Sequence, residues 1–181
     1  EIGVCGADAN LKIASFHPHF GEEKELVGKN GSGTIFFSGC AMHCVFCINY
    51  EISNWNTGIY RTIDEFAEMM LAVQKLGCHN LNLVTPTHYL PHILRALEIA
   101  AKNGLTIPVV YNTHSYEKTE IIRMLNDVVD IYLPDIKYAN SVLASNYSSG
   151  AADYPEISQK ALLEMNKQTG TAIPNPVTGL I

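Results

Sequence analysis

The chain is poor in charged side chains and has no excess of basic ones. Asp, Glu, Lys and Arg make up 17% of its 181 residues, and 12 basic against 18 acidic side chains give a formal net charge of -6. Binding to the phosphates of a nucleic acid depends on a broad basic surface. We therefore expect no nucleic-acid partner.

Long apolar runs are also lacking. No stretch reaches the roughly 18 residues that a membrane-spanning helix needs, and residues 1–10 lack the basic start and apolar stretch of a secretory signal. The hydrophobic content of 47% is nevertheless sufficient for one buried core. We expect a globular protein of the cytoplasm with no membrane partner.

Cysteine is scarce, and most of it lies in one place. The chain has five cysteines, an odd number, and without a secretion signal this count argues for reduced thiols rather than a disulfide framework. Three of the five, Cys40, Cys44 and Cys47, fall within one short segment. Structural cysteines are usually scattered as small buried residues, so this clustering indicates a chemical role.

The apolar periodicity predicts alternating strands and helices. Strands are predicted at residues 34–38, 81–84, 107–111 and 128–133, and helices at 63–76, 91–102, 116–126 and 153–169. This alternation is typical of a parallel sheet with crossover helices, either an open doubly wound sheet or a (β/α) barrel. A complete barrel needs about 250 residues, so the chain would form a partial TIM-like barrel at most.

The two ends of the chain differ from this regular part. Residues 1–30 are predicted to be an N-terminal extension, and residues 31–181 a core that is incomplete at its C-terminus. Residues 172–181 are a weak candidate for a fifth strand, because two prolines interrupt them. We expect the barrel to be truncated at both ends.

The cysteine loop follows the first predicted strand, at the carboxyl end where α/β folds place their active sites. Its C-x3-C-x2-C spacing provides three thiolates, whereas structural zinc sites favour four ligands. A 4Fe-4S cluster on three thiolates keeps its fourth iron open to a reactive ligand. The alternative is a zinc loop completed by His43, Cys5 or Cys78.

The loop, with Phe46 as an aromatic residue before its last cysteine, resembles the signature of the radical S-adenosylmethionine superfamily. Residues 33–49, 80–91, 111–113 and 130–137 further resemble the branch of pyruvate formate-lyase activating enzyme-like proteins. Together these segments extend over nearly the whole chain. The resemblance implies a 4Fe-4S cluster on the three loop cysteines.

The same resemblance implies an oxidoreductase that acts under anaerobic conditions. A reductant such as flavodoxin or ferredoxin would supply one electron, and S-adenosylmethionine would be cleaved to methionine and a 5′-deoxyadenosyl radical. In activating enzymes this radical takes a hydrogen atom from a glycine of a partner enzyme, which becomes a glycyl radical enzyme. The alternatives are another peptide or small-molecule substrate, and a non-enzymatic iron-sulfur or zinc-binding scaffold.

Further cofactor-binding residues follow from the resemblance. Phe46 and Ile48 flank the last cysteine and would lie along the nucleoside. Thr85 and Thr87 occupy the segment where the family often has a Gly-Gly-Glu motif, and they offer hydroxyl groups to an amine or carboxylate. Ordinary packing and a plain strand exit are the simpler explanations of these four residues.

Three polar residues end the last two predicted strands. Asn112 suits ribose hydroxyls, and Asp135 with Lys137 resembles an Asp-x-Lys element near the cofactor carboxylate or a partner loop. A solvated surface ion pair is the alternative for the last two. Four histidines are predicted to be surface or loop residues, namely His17, His19, His79 and His92.

Overall fold

Six strands form one sheet in which four consecutive strands, up to one edge, are parallel. The computed structural model describes residues 2–181, so Glu1, the first residue of the predicted extension, lies outside the described residues. The strands are β1 (Lys12–His19), β2 (Ser32–Phe37), β3 (Ile59–Tyr60), β4 (Leu81–Val84), β5 (Val109–Thr113) and β6 (Ile131–Pro134). Their order is β3-β1-β2-β4-β5-β6, and β1 is antiparallel to both of its neighbours.

Seven α-helices accompany these strands in residues 2–181. They are α1 (Lys24–Val27), α2 (Tyr50–Ser53), α3 (Ile63–Lys75), α4 (Leu90–Lys102), α5 (Thr119–Met124), α6 (Ser141–Tyr147) and α7 (Tyr154–Thr169). None of the helices in this part of the chain is both long and apolar enough to cross a membrane.

The two faces of the sheet carry different side chains. Leu81 and Leu83 of β4 point into the main core, which α3 and α4 cover, and Tyr111 of β5 packs on the same side against α5 and α7. The opposite, inner face carries Val84 and Asn112. With the crossover helices on one face and an unclosed sheet, the structure confirms the predicted α/β class and partial TIM-like barrel.

Helix α3 begins where the sequence predicts. The Thr62 hydroxyl accepts a hydrogen bond from the backbone N–H of Glu65, and the Glu65 carboxylate accepts one from the N–H of Thr62 at 2.8 Å. This capping box stabilises the helix by about 1 kcal/mol. Phe66, Met70 and Val73 then fill the core at helical spacing.

Helix α7 differs from its prediction in how it begins. Its N-cap residue is Asp153, as expected, but the capping box with Glu156 does not form. Oδ1 of the Asp153 carboxylate accepts a hydrogen bond from the hydroxyl of Tyr116, and the side chain makes no hydrogen bond to a helix N–H. Pro155 in the first turn has no N–H to satisfy there.

The prediction missed two strands and three short helices, and it was wrong about residues 172–181; the missed elements are β1, β3, α1, α2 and α6. Strand β1 lies inside the predicted extension and pairs with β2, and helix α6 had no counterpart in the prediction. Residues 172–181 form no strand; they turn at Asn175, and the N–H of Ile181 donates to the carbonyl of Glu25 at 3.1 Å. The first predicted strand is therefore the second strand of the sheet.

Gly33 provides a test of the packing between β2 and its covering helix. A Cβ atom at this position would lie 2.7 Å from the carbonyl oxygen of Asn80 and 2.8 Å from Cβ of Val73. We expect Gly33→Ala to lower the free energy of unfolding by about 2 kcal/mol and the melting temperature by roughly 4–8 °C. Thermal and urea unfolding measure both, with the exposed Glu68→Ala as the control. Equal stability of the two variants would contradict this packing.

Candidate functional site

A cavity of about 500 Å³ lies along the inner face of the parallel strands. Its wall includes one residue from each of these strands, paired in register across the sheet: Phe36, Val84, Asn112 and Leu133. Small-molecule sites typically have volumes of about 300–1,000 Å³. The cavity therefore has the size and the position of a ligand site.

The cysteine loop forms one end of the cavity. Cys40, Cys44 and Cys47 all line it, and Cys44 is buried while the other two are partly buried. The loop leaves β2 through Gly39, whose φ of 86° lies in the region that favours glycine. The next N–H, of Cys40, donates to the carbonyl of Cys5 at 3.0 Å, which fixes the start of the loop.

Hydroxyl groups support two of the three sulfur atoms. Ser148 Oγ donates to Cys44 Sγ at 2.9 Å, and Tyr138 in turn contacts Ser148 Oγ with its hydroxyl at 2.7 Å. Ser53 Oγ donates to Cys47 Sγ at 3.2 Å. Because these groups come from α2 and from the end of α6, both short helices serve to position the loop.

The thiol of Cys40 is in a desolvated environment. Burial raises its pKa to about 11, although hydrogen bonds from the backbone of Met42 and His43 act in the opposite direction. Bound iron would reverse this balance, because a metal ion stabilises the thiolate directly. The protein thus presents a neutral thiol that metal binding would deprotonate.

The donor set fits a cluster better than a single zinc ion. Both ring nitrogens of His43 are engaged, Nδ1 with Asn54 Oδ1 at 2.7 Å and Nε2 with the carbonyl of Val4 at 2.8 Å. Cys78 is buried in the main core before β4, and Cys5 packs against that core. Within residues 2–181, no three His, Cys, Asp or Glu side chains converge on one point as a zinc ion requires. In a cluster each thiolate binds its own iron.

The aromatic and aliphatic residues predicted beside the nucleoside lie at the mouth of the cavity. Phe46 is 55% exposed and Ile48 is 97% exposed, and both line the opening. The rings of Phe46 and Tyr138 pack edge to face, with their centroids 6.1 Å apart. Exposed apolar side chains at a cavity rim can cover a ligand when it binds.

The two threonines after β4 separate into different environments. Thr85 lines the cavity with a φ of 56°, and its N–H donates to the carbonyl of Asn112 at 2.9 Å. Thr87 is not among the residues that line the cavity. Its hydroxyl donates to the Glu117 carboxylate at 2.5 Å, behind the wall of the site.

The remaining predicted residues come together on the far side of the mouth. Lys137 Nζ lies 2.9 Å from Asp135 Oδ2, and both residues line the cavity with Asn112. Burial alone would lower the pKa of Lys137, but the hydrogen bond and charge of Asp135 raise it overall. Lys137 is therefore a positive charge held at a fixed position.

Sequence reasoning missed the buried polar layer behind this wall. Glu117 Oε1 accepts hydrogen bonds from the hydroxyls of Thr113 at 2.6 Å and Tyr111 at 3.4 Å, in addition to that of Thr87. Burial raises the pKa of Glu117, although these hydrogen bonds act against the rise. The carboxyl group joins the ends of β4 and β5. No periodic pattern in the sequence indicates such a residue.

A second missed group lies at the opposite end of the cavity from the cysteines. His19, Glu22 and Glu23 line the cavity, so His19 is more than the surface or loop residue that we predicted. Burial raises the pKa of Glu22, and the charge of Glu23 adds to this effect. Two adjacent acidic residues three and four positions after a histidine are a signal in the sequence, but their position in the cavity depends on β1, which was not predicted.

Comparisons with known proteins agree with this geometry. A sequence profile described as the Radical SAM superfamily matches residues 34–157, which include the cysteine loop and all four parallel strands except the first two residues of β2. An uncharacterized protein of Methanocaldococcus jannaschii is 37% identical over 150 residues, or 78% of this chain. The chain spans 42% of the length of that relative.

His114 at the cavity wall should make stability depend on pH. Burial lowers its pKa from 6.5 to about 4, with a further contribution from the charge of Lys137. Between pH 6.5 and pH 4, His114 is therefore protonated in the unfolded chain but neutral in the folded protein. The free energy of unfolding falls as the pH drops through this range. We expect His114→Asn, which keeps an acceptor for the N–H of Tyr116, to reduce this fall by up to roughly 3 kcal/mol.

Urea unfolding between pH 4 and pH 7.5 measures this effect as a difference between variants. His17→Asn, which removes an exposed ring, is the matched control and should leave the pH dependence unchanged. The same slope in all three proteins would show that His114 is protonated in the folded state.

Proposed function

The chain belongs to the Radical SAM superfamily, and from this premise we propose that Cys40, Cys44 and Cys47 hold a 4Fe-4S cluster used to cleave S-adenosylmethionine. The observation that carries the proposal is the cavity, because the three thiols line one end of it directly after a parallel strand. Enzymes of this superfamily use such a cluster together with S-adenosylmethionine. The donor set and the desolvated thiols fit that group.

When bound, the cluster supplies the electron that breaks the S–C5′ bond of S-adenosylmethionine, giving methionine and a 5′-deoxyadenosyl radical. The residues of the chain bind and orient the reacting molecules. Ser148 and Ser53 hold two sulfur atoms in place through their hydroxyls. Cys44 is buried and Cys40 and Cys47 are partly buried, which limits the access of water to the reacting atoms.

The cavity walls offer contacts for each part of S-adenosylmethionine. We assign the nucleoside to Phe46 and Ile48 at the mouth, where apolar surface is exposed. The Lys137 ammonium, fixed by Asp135, is suited to the methionyl carboxylate. Thr85 and Asn112, which line the same wall, are suited to the amine and the ribose hydroxyls.

Thr87 has a different role in this proposal. Its hydroxyl is bound to Glu117, so we assign it to positioning the end of β4 and not to contact with the cofactor. In the segment where the family often has a Gly-Gly-Glu motif, this chain therefore has Thr85, which lines the cavity, and Thr87, which supports the wall.

For the substrate, we propose a glycine of a partner protein, as in the activating enzymes that the sequence resembles, with flavodoxin or ferredoxin as the reductant. The open mouth supports a large substrate, because Ile48 at its rim is almost entirely exposed. Another peptide or a small molecule is the alternative within the same chemistry. Identification of the hydrogen donor separates these possibilities.

Cys44→Ala tests the proposed chemistry directly. After anaerobic reconstitution with iron and sulfide and reduction with dithionite, we expect the unmodified chain to form 5′-deoxyadenosine from S-adenosylmethionine. The variant should form none above the background without protein, since it removes one of three ligands. Cys78→Ala, which removes a thiol from the core but not from the loop, is the matched control and should retain product formation.

The metal content distinguishes the possible failures. A cluster that assembles but yields no 5′-deoxyadenosine would indicate an electron carrier and contradict the proposal. Zinc in place of iron in the purified protein, unchanged after reconstitution, would also contradict it and support the zinc scaffold.

A further inference from the structure

The segment between β1 and α1 brings a carboxylate into the cavity that the proposed chemistry does not use. Strand β1 runs antiparallel to β2, so it ends near the amino ends of the parallel strands, where His19 pairs with Ser32. The chain then turns across the inner face before α1. Glu22 therefore reaches the cavity from the end opposite the cysteine loop.

Two asparagines on neighbouring strands hold the Glu22 carboxylate. Its Oε1 accepts hydrogen bonds from Nδ2 of Asn112 at 3.1 Å and from Nδ2 of Asn82 at 3.4 Å. Asn82 stands on the inner face of β4, level with Thr34 of β2 and two residues before Val84. The carboxylate thus lies between the level of Asn82 and the level of Asn112, which pairs with Val84 at the end of β4.

The same place contains an unsatisfied acceptor. Asn82 is 0% exposed, and its Oδ1 has no hydrogen-bond partner within residues 2–181. Burying an amide oxygen without a partner is costly, about 1–3 kcal/mol. Asn82 is not among the residues that line the cavity, so its amide orients Glu22 at the expense of its own acceptor, and the carboxylate is the group that a ligand meets.

The charges near Glu22 determine which kind of hydrogen-bond donor a ligand should bring. No Lys, Arg or His in residues 2–181 forms a salt bridge with Glu22. The cavity is lined by two further carboxylates, Glu23 and Asp135, and by Lys137, which Asp135 already neutralises. Two histidines also line the cavity, His19, whose charge favours the Glu22 carboxylate, and His114, whose pKa burial lowers to about 4.

A ligand that fills the cavity would remove the remaining water from this carboxylate. Desolvating an unpaired charge is unfavourable unless the ligand brings an opposite charge and hydrogen-bond donors. A neutral hydroxyl satisfies the acceptors but leaves the charge unpaired. A primary ammonium group satisfies both requirements, since it has three donors and one positive charge.

We propose that Glu22, with Asn82 and Asn112, forms a subsite that binds the primary ammonium group of a ligand in the cavity. The inference rests on the proposed function only in naming the two sources of that group, which are S-adenosylmethionine and the substrate that donates hydrogen. Glu22 comes from the segment between β1 and α1, which contributes no residue to the cofactor contacts assigned above, and this favours the substrate. For a protein substrate the group is a lysine-like side chain near the reacting glycine, and for the small-molecule alternative it is an amine of the substrate itself.

The test is equilibrium binding to the anaerobically reconstituted full chain at pH 8, comparing Glu22→Gln with the unmodified protein. Glutamine keeps an oxygen for both asparagine amides and removes only the charge. The two probes are S-adenosylmethionine and propylammonium. Binding of propylammonium is measured both with and without S-adenosylmethionine on the protein, and 1-propanol is its neutral counterpart. Glu23→Gln, which removes a neighbouring exposed charge, is the matched control.

We expect Glu22→Gln to weaken one of the two amine probes by about tenfold and Glu23→Gln to weaken it by no more than about threefold. Loss of propylammonium binding alone assigns the subsite to the substrate, and loss of S-adenosylmethionine binding assigns it to the cofactor. Unchanged binding of both probes overturns the proposal. Equal losses in the two variants, or an equal loss of 1-propanol binding, also overturn it.

Two further measurements keep the result unambiguous. If Glu22→Gln does not fold, the affinity for the amine probe is compared between Glu22→Asp and Asn82→Ala. Glu22→Asp retains the charge and should lose less affinity than Asn82→Ala, which removes the supporting amide. Formation of 5′-deoxyadenosine is followed separately. A chain that forms none but binds propylammonium through Glu22 contradicts the proposed function and supports the subsite.

Discussion

The parallel register of β2, β4, β5 and β6 is the constraint on which the site depends. It places the residues that follow each strand at one edge, so that the cysteine loop, Thr85, His114 and Asp135 face the same space. Backbone pairing alone fixes these relations, because the side-chain alternation of a strand leaves one register for the inner face. A shift of one residue would turn Val84 and Asn112 toward the helices.

The polar groups behind the cavity stabilise this edge of the sheet at some energetic cost. Glu117 accepts hydrogen bonds from hydroxyls on β5 and after β4, and so links two strand ends that the ladder no longer pairs. Burial makes its charged form unfavourable, as it does for protonated His114. One oxygen of this carboxylate, Oε1, takes all three hydrogen bonds, and Oε2 is buried without a partner in the described residues 2–181. The wall of the site is therefore held by side-chain hydrogen bonds as well as by the ladder, while its rim, with Ile48, is exposed.

The sequence predicted the parts of the molecule that local patterns determine. The four parallel strands, α3 with its capping box, and the cysteine loop after β2 follow from periodicity, capping residues and spacing. The family and the α/β fold were predicted from the same residues. The roles of Phe46, Asn112 and Lys137 remain proposals, since their positions at the cavity do not reveal what they bind.

The parts that could not be predicted depend on contacts between distant segments. Strand β1 lacks a regular alternation and contains Pro18, which the sheet tolerates because β3 pairs only with its first residues, Lys12 and Ile13. The position of Glu22 depends in turn on β1, on the turn that follows it and on Asn80, whose amide donates to the carbonyl of Leu26 at 2.8 Å and anchors α1 beneath the sheet. The contact from Glu22 to Asn112 joins residues that are 90 positions apart. No local pattern in the sequence indicates a contact over this separation. Glu22 therefore becomes part of the cavity only when the whole sheet has formed.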